Sequence, residues 1–297
     1  EIARAFNART TLVQVLVQPP TTDGTSSVDP LDWHLTKAEA EAYLAGVVRR
    51  LHQAGTEVDH TVLEGHAAAQ IINFAHRHEV DLIALSSHGR SGLTGWNVSS
   101  VAQKIILHSH LSTLLVRAYQ CVASEFTNLR YRRLMVTLDC SRRAECALPL
   151  ATGLARLNVE VLLTHVVRHP EMPRREPPTR GDIELTDRVV QRNKSEAKRY
   201  FTFLQNRLSP DIPKSRPCLL VDRNVAVALH EFVDKENADL VIMSAHGHSG
   251  GSRWPYGSVA TSFIVYGNTP LLIVQDLEPG ELDRSRAEIA ALEHKGH

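Results

Sequence analysis

Long hydrophobic runs are missing from this chain. No stretch approaches the roughly 18–20 apolar residues of a membrane-spanning helix, and no signal peptide is readable at its start, so a soluble protein of the cytoplasm is expected. Cysteine is scarce: Cys121, Cys140, Cys146 and Cys218 form no CxxC pair and no disulfide-framework spacing, which points to free thiols in a reducing compartment. An excess of either charge is absent as well. The 33 Lys and Arg offset 33 Asp and Glu, whereas attachment to nucleic acid or anionic lipid favours a basic surface, so neither partner is expected. What remains is 297 residues with 43% apolar and 22% charged side chains, the composition of an ordinary globular protein with room for two cores.

The chain contains one unit written twice. "DLIALSSHGRSGLTGWNVSSVAQKI" begins at Asp81 and "DLVIMSAHGHSGGSRWPYGSVATSF" at Asp239. The ungapped shift that sets Asp81 on Asp239 also sets Ser86 on Ser244, His88 on His246, Gly89 on Gly247, Trp96 on Trp254, Ser100 on Ser258 and Val116 on Val274. Such self-similarity marks a duplicated structural unit.

In the second copy, short apolar and β-branched runs alternate with helical patterns. "RLMVTL", "VEVLLTHVV", "CLLV", "DLVIMSA" and "TPLLIVQD" read as strands. "AECALPLATGLARL", Ile183 to about Leu208, "NVAVALHEFVDKENA" and the segment after the Gly-rich loop read as helices. Strands that are continuously apolar and alternate with helices predict a parallel sheet covered on both faces, with right-handed connections. The fold class expected is therefore α/β: two tandem Rossmann-like, doubly wound domains. The first copy runs from the strand at "TTLVQVLVQPP" through a helix at Trp33–Ala54, a strand at "EVDHTVLE", a helix at Ala67–His78 and onward to "STLLVRA". It has no counterpart of "RRLMVTLDCSRRAECALPL", so the first domain lacks its first strand, and a truncated N-terminus is expected. The boundaries expected are 1–120, 131–276 and a charged tail at 277–297.

Ligands of open parallel sheets bind at the carboxyl ends of the strands. "SAHGHSGGSRWPYGS" lies at such an end. Glycine there can take a positive φ or let backbone N–H groups approach a ligand, and Gly257 and Ser258 stand where the next helix begins, an anion-binding position. The loop is neither a Walker loop nor a GxGxxG fingerprint, and "GHSG" misses the GxSxG nucleophile elbow by one residue.

The spacing Ser244-x2-Gly247-x9-Gly257-Ser258 resembles the G-x2-G-x9-G-[ST] pattern of the universal stress protein family, whose loop holds the phosphates of ATP. "LMVTLDCS" is similar to that family's first strand and its "DGS" loop, whose Asp meets the adenine end. The resemblance spans nearly the whole chain as two tandem domains. It implies that Asp139 contacts the base or ribose, and that Gly247, Gly257, Ser258 and Val259 line the triphosphate. Ser244 replaces the first family Gly and adds a Cβ at a close backbone approach. The first copy keeps only the middle Gly of the pattern, in Ser86-x2-Gly89-x9-Ser99-Ser100, so its loop is expected to be structural. The resemblance also implies edge-to-edge pairing of the two last strands, giving an internal pseudo-dimer, with homodimerisation through another face open.

Other residues carry less. The pairs His108/His110 and His246/His248 lack a carboxylate or Cys at metal-site spacing and read as surface polarity, His88 and His246 each being placed to orient its loop. Trp96 and Trp254 read as plugs of their loops, and the basic strings "RRLH" and "RYRR" as solvated charge. The function expected is a stress-response protein binding ATP in the second domain, with Mg²⁺ arriving on the nucleotide, as a switch or protective factor. No dedicated base for phosphoryl transfer is evident, so slow ATP hydrolysis is the most that is expected. Two alternatives stand: a nucleotide-free interaction module with vestigial loops that recruits a protein partner, and an enzyme of the wider adenine-nucleotide hydrolase fold group.

Overall fold

The computed structural model describes residues 1–17, 29–88, 98–117, 130–170, 177–208, 210–248 and 256–276. Both tryptophans of the Gly-rich loops, Cys121 and the tail beyond Asp276 lie outside these residues.

The second half follows the expected order. Strands β5 (Arg133–Thr137), β6 (Glu160–Arg168), β7 (Ser215–Asp222), β8 (Leu240–Ser244) and β9 (Leu271–Val274) alternate with helices α5 (Leu148–Ala155), α6 (Arg180–Leu208), α7 (Val225–Glu236) and α8 (Ser258–Tyr266). The strands are parallel in the order β9-β8-β5-β6-β7. A sheet buried on both faces selects side chains that are apolar throughout rather than alternately, and Leu240, Val241, Ile242 and Met243 of β8 are all buried. The helix after β5 starts as a 3₁₀ turn over Ala144–Ala147, and Pro149 sits in the first turn of α5, where its missing N–H costs nothing. Asn224 caps α7 by accepting from the N–H groups of Ala226 and Val227.

The first half contains α1 (Ile2–Phe6), β1 (Thr10–Leu16), α2 (Pro30–Gln53), β2 (Val58–Glu64), α3 (Ala67–Arg77), β3 (Leu82–Ser86), α4 (Ser100–His108) and β4 (Ser112–Val116). The two halves differ in one strand. In the second half β5 lies between β8 and β6 and joins them; among the described residues no strand takes that place between β3 and β1. Strands β1 and β2 accordingly form a separate two-stranded parallel sheet.

β3 and β4 remain paired, and β4 runs antiparallel to β9, with Thr113 opposite Ile273, Leu114 opposite Leu272 and Leu115 opposite Leu271. The halves thus share one seven-stranded sheet, β3-β4-β9-β8-β5-β6-β7, and form the expected pseudo-dimer. An apolar sheet edge left open invites pairing, and here each half covers the edge of the other. One core runs through the junction: Val98, Ala102, Ile106 and Leu115 of the first half cluster with Tyr256, Ala260, Phe263 and Leu271 of the second.

Candidate functional site

A cleft of about 170 Å³ opens at the carboxyl ends of β5, β6 and β8. All six residues expected to bind nucleotide line it: Asp139, Ser244, Gly247, Gly257, Ser258 and Val259. Thr164, His165 and Val166 of β6 and Val225 and Leu229 of α7 form the facing wall. The doubly wound topology explains the convergence, because β5 and β8 are neighbours in the sheet although more than a hundred residues separate them in the chain.

The glycines serve purposes other than left-handed backbone. Gly257, the N-cap of α8, has φ −65° and ψ 163°, and Ser99 at the equivalent place before α4 has φ −65° and ψ 156°. Both are ordinary extended conformations, so Gly257 is not there to supply a positive φ. A Cβ on Gly257 would meet nothing closer than the Ala245 carbonyl at 3.5 Å. What distinguishes the two positions is the cap itself. The Ser99 hydroxyl accepts from the Ala102 N–H at 3.2 Å and closes the N-terminus of α4, whereas among the described residues no side chain caps α8. The positive end of α8, facing the cleft, thereby keeps first-turn donors for an anion. Gly247 is required for space. A Cβ there would lie 2.2 Å from Oδ2 of Asp139.

Asp139 organises the loop from within. Its Oδ1 accepts from the Ser141 N–H at 3.0 Å and its Oδ2 accepts from the His248 N–H. Ser244, which replaces a glycine of the family pattern, donates its hydroxyl to the His246 carbonyl, and Ser86 does the same to the His88 carbonyl in the first half. The hydroxyl therefore closes the turn that follows the strand in both copies.

The chain also contains a lock that its sequence did not reveal. Oδ1 of Asp276 accepts from both the backbone N–H and Nδ1 of His246, each at 3.0 Å, and Oδ2 meets Arg143 Nη1 at 3.1 Å. The Asp276 side chain is only 1% exposed, and a buried carboxylate persists where it is paired and hydrogen-bonded in this way. His246 is buried and orients its loop, as expected of a strand-end histidine; its description as surface polarity holds for neighbouring His248 alone. His165, likewise missed from sequence, donates from Nδ1 to the Leu138 carbonyl at 2.8 Å, which fixes the ring in the cleft wall. Nearby, burial raises the Cys140 thiol to about 11 and Cys146 to about 12, so neither is a thiolate nucleophile near neutral pH. No cluster of His, Cys, Asp and Glu suited to a metal ion occurs among the described residues.

Comparison with known proteins bears on the family and the fold. The family model of the universal stress protein family matches residues 1–117 and 130–275. Universal stress protein MJ0531 of Methanocaldococcus jannaschii is 31% identical over 83 residues, 28% of this chain and 49% of the relative, so the match spans about half that relative's length. A crystal structure of a universal stress protein from Archaeoglobus fulgidus superposes with a TM-score of 0.58 at 17% identity, covering 91% of this chain and 88% of the other. A functionally unknown protein, PA1789 of Pseudomonas aeruginosa, gives 0.57 at 12% identity with 98% of both chains covered. At such identities the two structures bear on the fold alone.

Proposed function

The chain belongs to the universal stress protein family, and from that premise we propose that it binds ATP in the cleft of its second half and works in the cytoplasm as a nucleotide-dependent switch or protective factor. One observation carries this reading: the N-terminus of α8 opens into the cleft with no side-chain cap among the described residues, while its counterpart α4 is closed by Ser99. Backbone donors at Gly257, Ser258 and Val259 would receive phosphate oxygens, helped by the helix dipole. The adenosine end would lie toward Asp139 and the wall formed by His165 and Val166. Because ligand pockets commonly measure about 300–1,000 Å³, the cleft of about 170 Å³ holds only part of a nucleotide, and the phosphates extend past the mouth over α8. No helix among the described residues is long and apolar enough to cross a membrane. Mg²⁺ would come with the triphosphate.

The small cleft and the engaged Asp139 carboxylate favour a second reading, a nucleotide-free module that recruits a protein partner. Isothermal titration separates the two. Mg²⁺-ATP is titrated into the full chain and into Gly257→Asp, which brings a carboxylate to the N-cap and repels phosphate. Micromolar binding by the wild type, lost in a folded variant, is the result expected. No binding at millimolar ATP would leave the interaction module as the better account.

A further inference from the structure

α8, the helix whose first turn lines the cleft, is fastened at both ends to the other half of the molecule. At its N-terminus Tyr256, immediately before Gly257, is buried and donates its hydroxyl to the carbonyl of Ile106 at 2.8 Å. That carbonyl lies in the last turn of α4, where helical oxygens lack intrahelical donors. At the C-terminus Arg117, which directly follows β4, inserts its guanidinium. Nη2 donates to the Phe263 carbonyl at 2.6 Å, Nη1 to Ile264 at 3.2 Å and Nε to Thr269 at 3.4 Å. Arg117 is 1% exposed, and its charge sits at the end of α8 where the helix dipole favours a cation.

Gly267 completes the fit. A Cβ there would fall 3.0 Å from Arg117 Nη2 and 2.6 Å from the Phe263 carbonyl, so a larger residue would push the guanidinium off the helix end. The tyrosine contact is not repeated in the opposite direction: the duplication puts Val98, which has no hydroxyl, at the place of Tyr256. The first half, with its own helix closed by Ser99, therefore supplies the frame that holds the open helix of the second.

We propose that Tyr256 and Arg117 are positioning residues through which the first half sets the phosphate-binding end of the cleft in the second half. This rests on reading that cleft as a nucleotide site. Tyr256→Phe keeps the ring and deletes one hydrogen bond. Arg117→Lys keeps the charge and loses the planar fork that spans three carbonyls.

Two measurements on the full chain test the proposal. Without ligand, amide hydrogen exchange in α8 should quicken in both variants, while exchange in α6 stays as in the wild type. In titrations, affinity for ATP and for tripolyphosphate should fall about three- to tenfold, the equilibrium equivalent of one net hydrogen bond, while affinity for adenosine is unchanged. Faster exchange with unaltered ATP affinity overturns the proposal, because the fastening then leaves the cleft unaffected. Unchanged exchange overturns it too, as does an equal loss for adenosine, which marks general destabilisation. If the wild type binds normally in those cases, the nucleotide reading survives. A wild type that binds no ATP removes both.

Discussion

At the scale of single residues, position 257 is where the two loop–helix junctions differ in their caps. Gly257 and Ser99 share their backbone angles, and only the hydroxyl differs. Gly257→Ser should install on α8 the cap that α4 already has, changing stability by no more than a few tenths of a kcal/mol while weakening ATP about tenfold in titration, since the new hydroxyl competes for the same donors. Ser99→Gly should remove the cap of α4 at a cost of no more than a few tenths of a kcal/mol. Gly247 answers to a different constraint. In Gly247→Ala the Cβ collides with Asp139 and breaks its bond to the His248 N–H. That bond to a charged group is worth about 1.5–3 kcal/mol, so the urea midpoint should drop at an unchanged slope.

At the scale of elements, the strands and helices were legible because each carries its own pattern. The copies keep register so closely that β3 and β8, and α4 and α8, begin and end at equivalent positions. Less legible were contacts that join distant elements, such as His246 with Asp276 or Arg117 with the end of α8. No period or spacing encodes a hydrogen bond between residues brought together only by strand order. Gly257 was legible as a helix start with free donors; that the side chain it omits, and not its backbone, separates it from Ser99 was not. The α7–α8 contact supplies a pH-dependent test. His230 stacks on Phe263 with centroids 4.0 Å apart and bonds the Ser262 hydroxyl at 3.2 Å. Burial lowers its pKa, with Arg117 acting in the same sense and Asp234 opposing. A depressed histidine binds fewer protons folded than unfolded, so its contribution is complete above the ordinary value of about 6.5 and is lost as pH falls through the folded pKa. His110, lowered by burial and then by His76 and His108, acts in the same direction. Urea stability should therefore decline below about pH 6.5, and His230→Phe should flatten part of that slope.

At the scale of the whole molecule, the junction β4–β9 and the mixed core around Ile106, Tyr256 and Phe263 join both halves in one seven-stranded sheet, whereas among the described residues β1 and β2 have only each other as sheet neighbours. In the second half β5 connects the equivalent strands, and among the described residues no strand does so in the first. Their burial reflects it: Leu16 alone is buried in β1 and Val58 alone in β2, while every residue of β8 and β9 is buried. Small cooperative units with few buried contacts open at free energies below that of global unfolding. Native-state hydrogen exchange should accordingly divide the molecule into two classes. Amides of β4, β5, β8 and β9 should exchange only through global opening and gain urea dependence together, in a common isotherm that includes both halves. Amides of β1 and β2 should exchange earlier and with a smaller urea slope. Equal protection in the two sheets would mean that α2 and α3 bind β1 and β2 to the remaining body as firmly as a central strand would. A separate isotherm for β4 would mean that the antiparallel junction only abuts the halves, and the clamp on α8 would then have no rigid frame to act from.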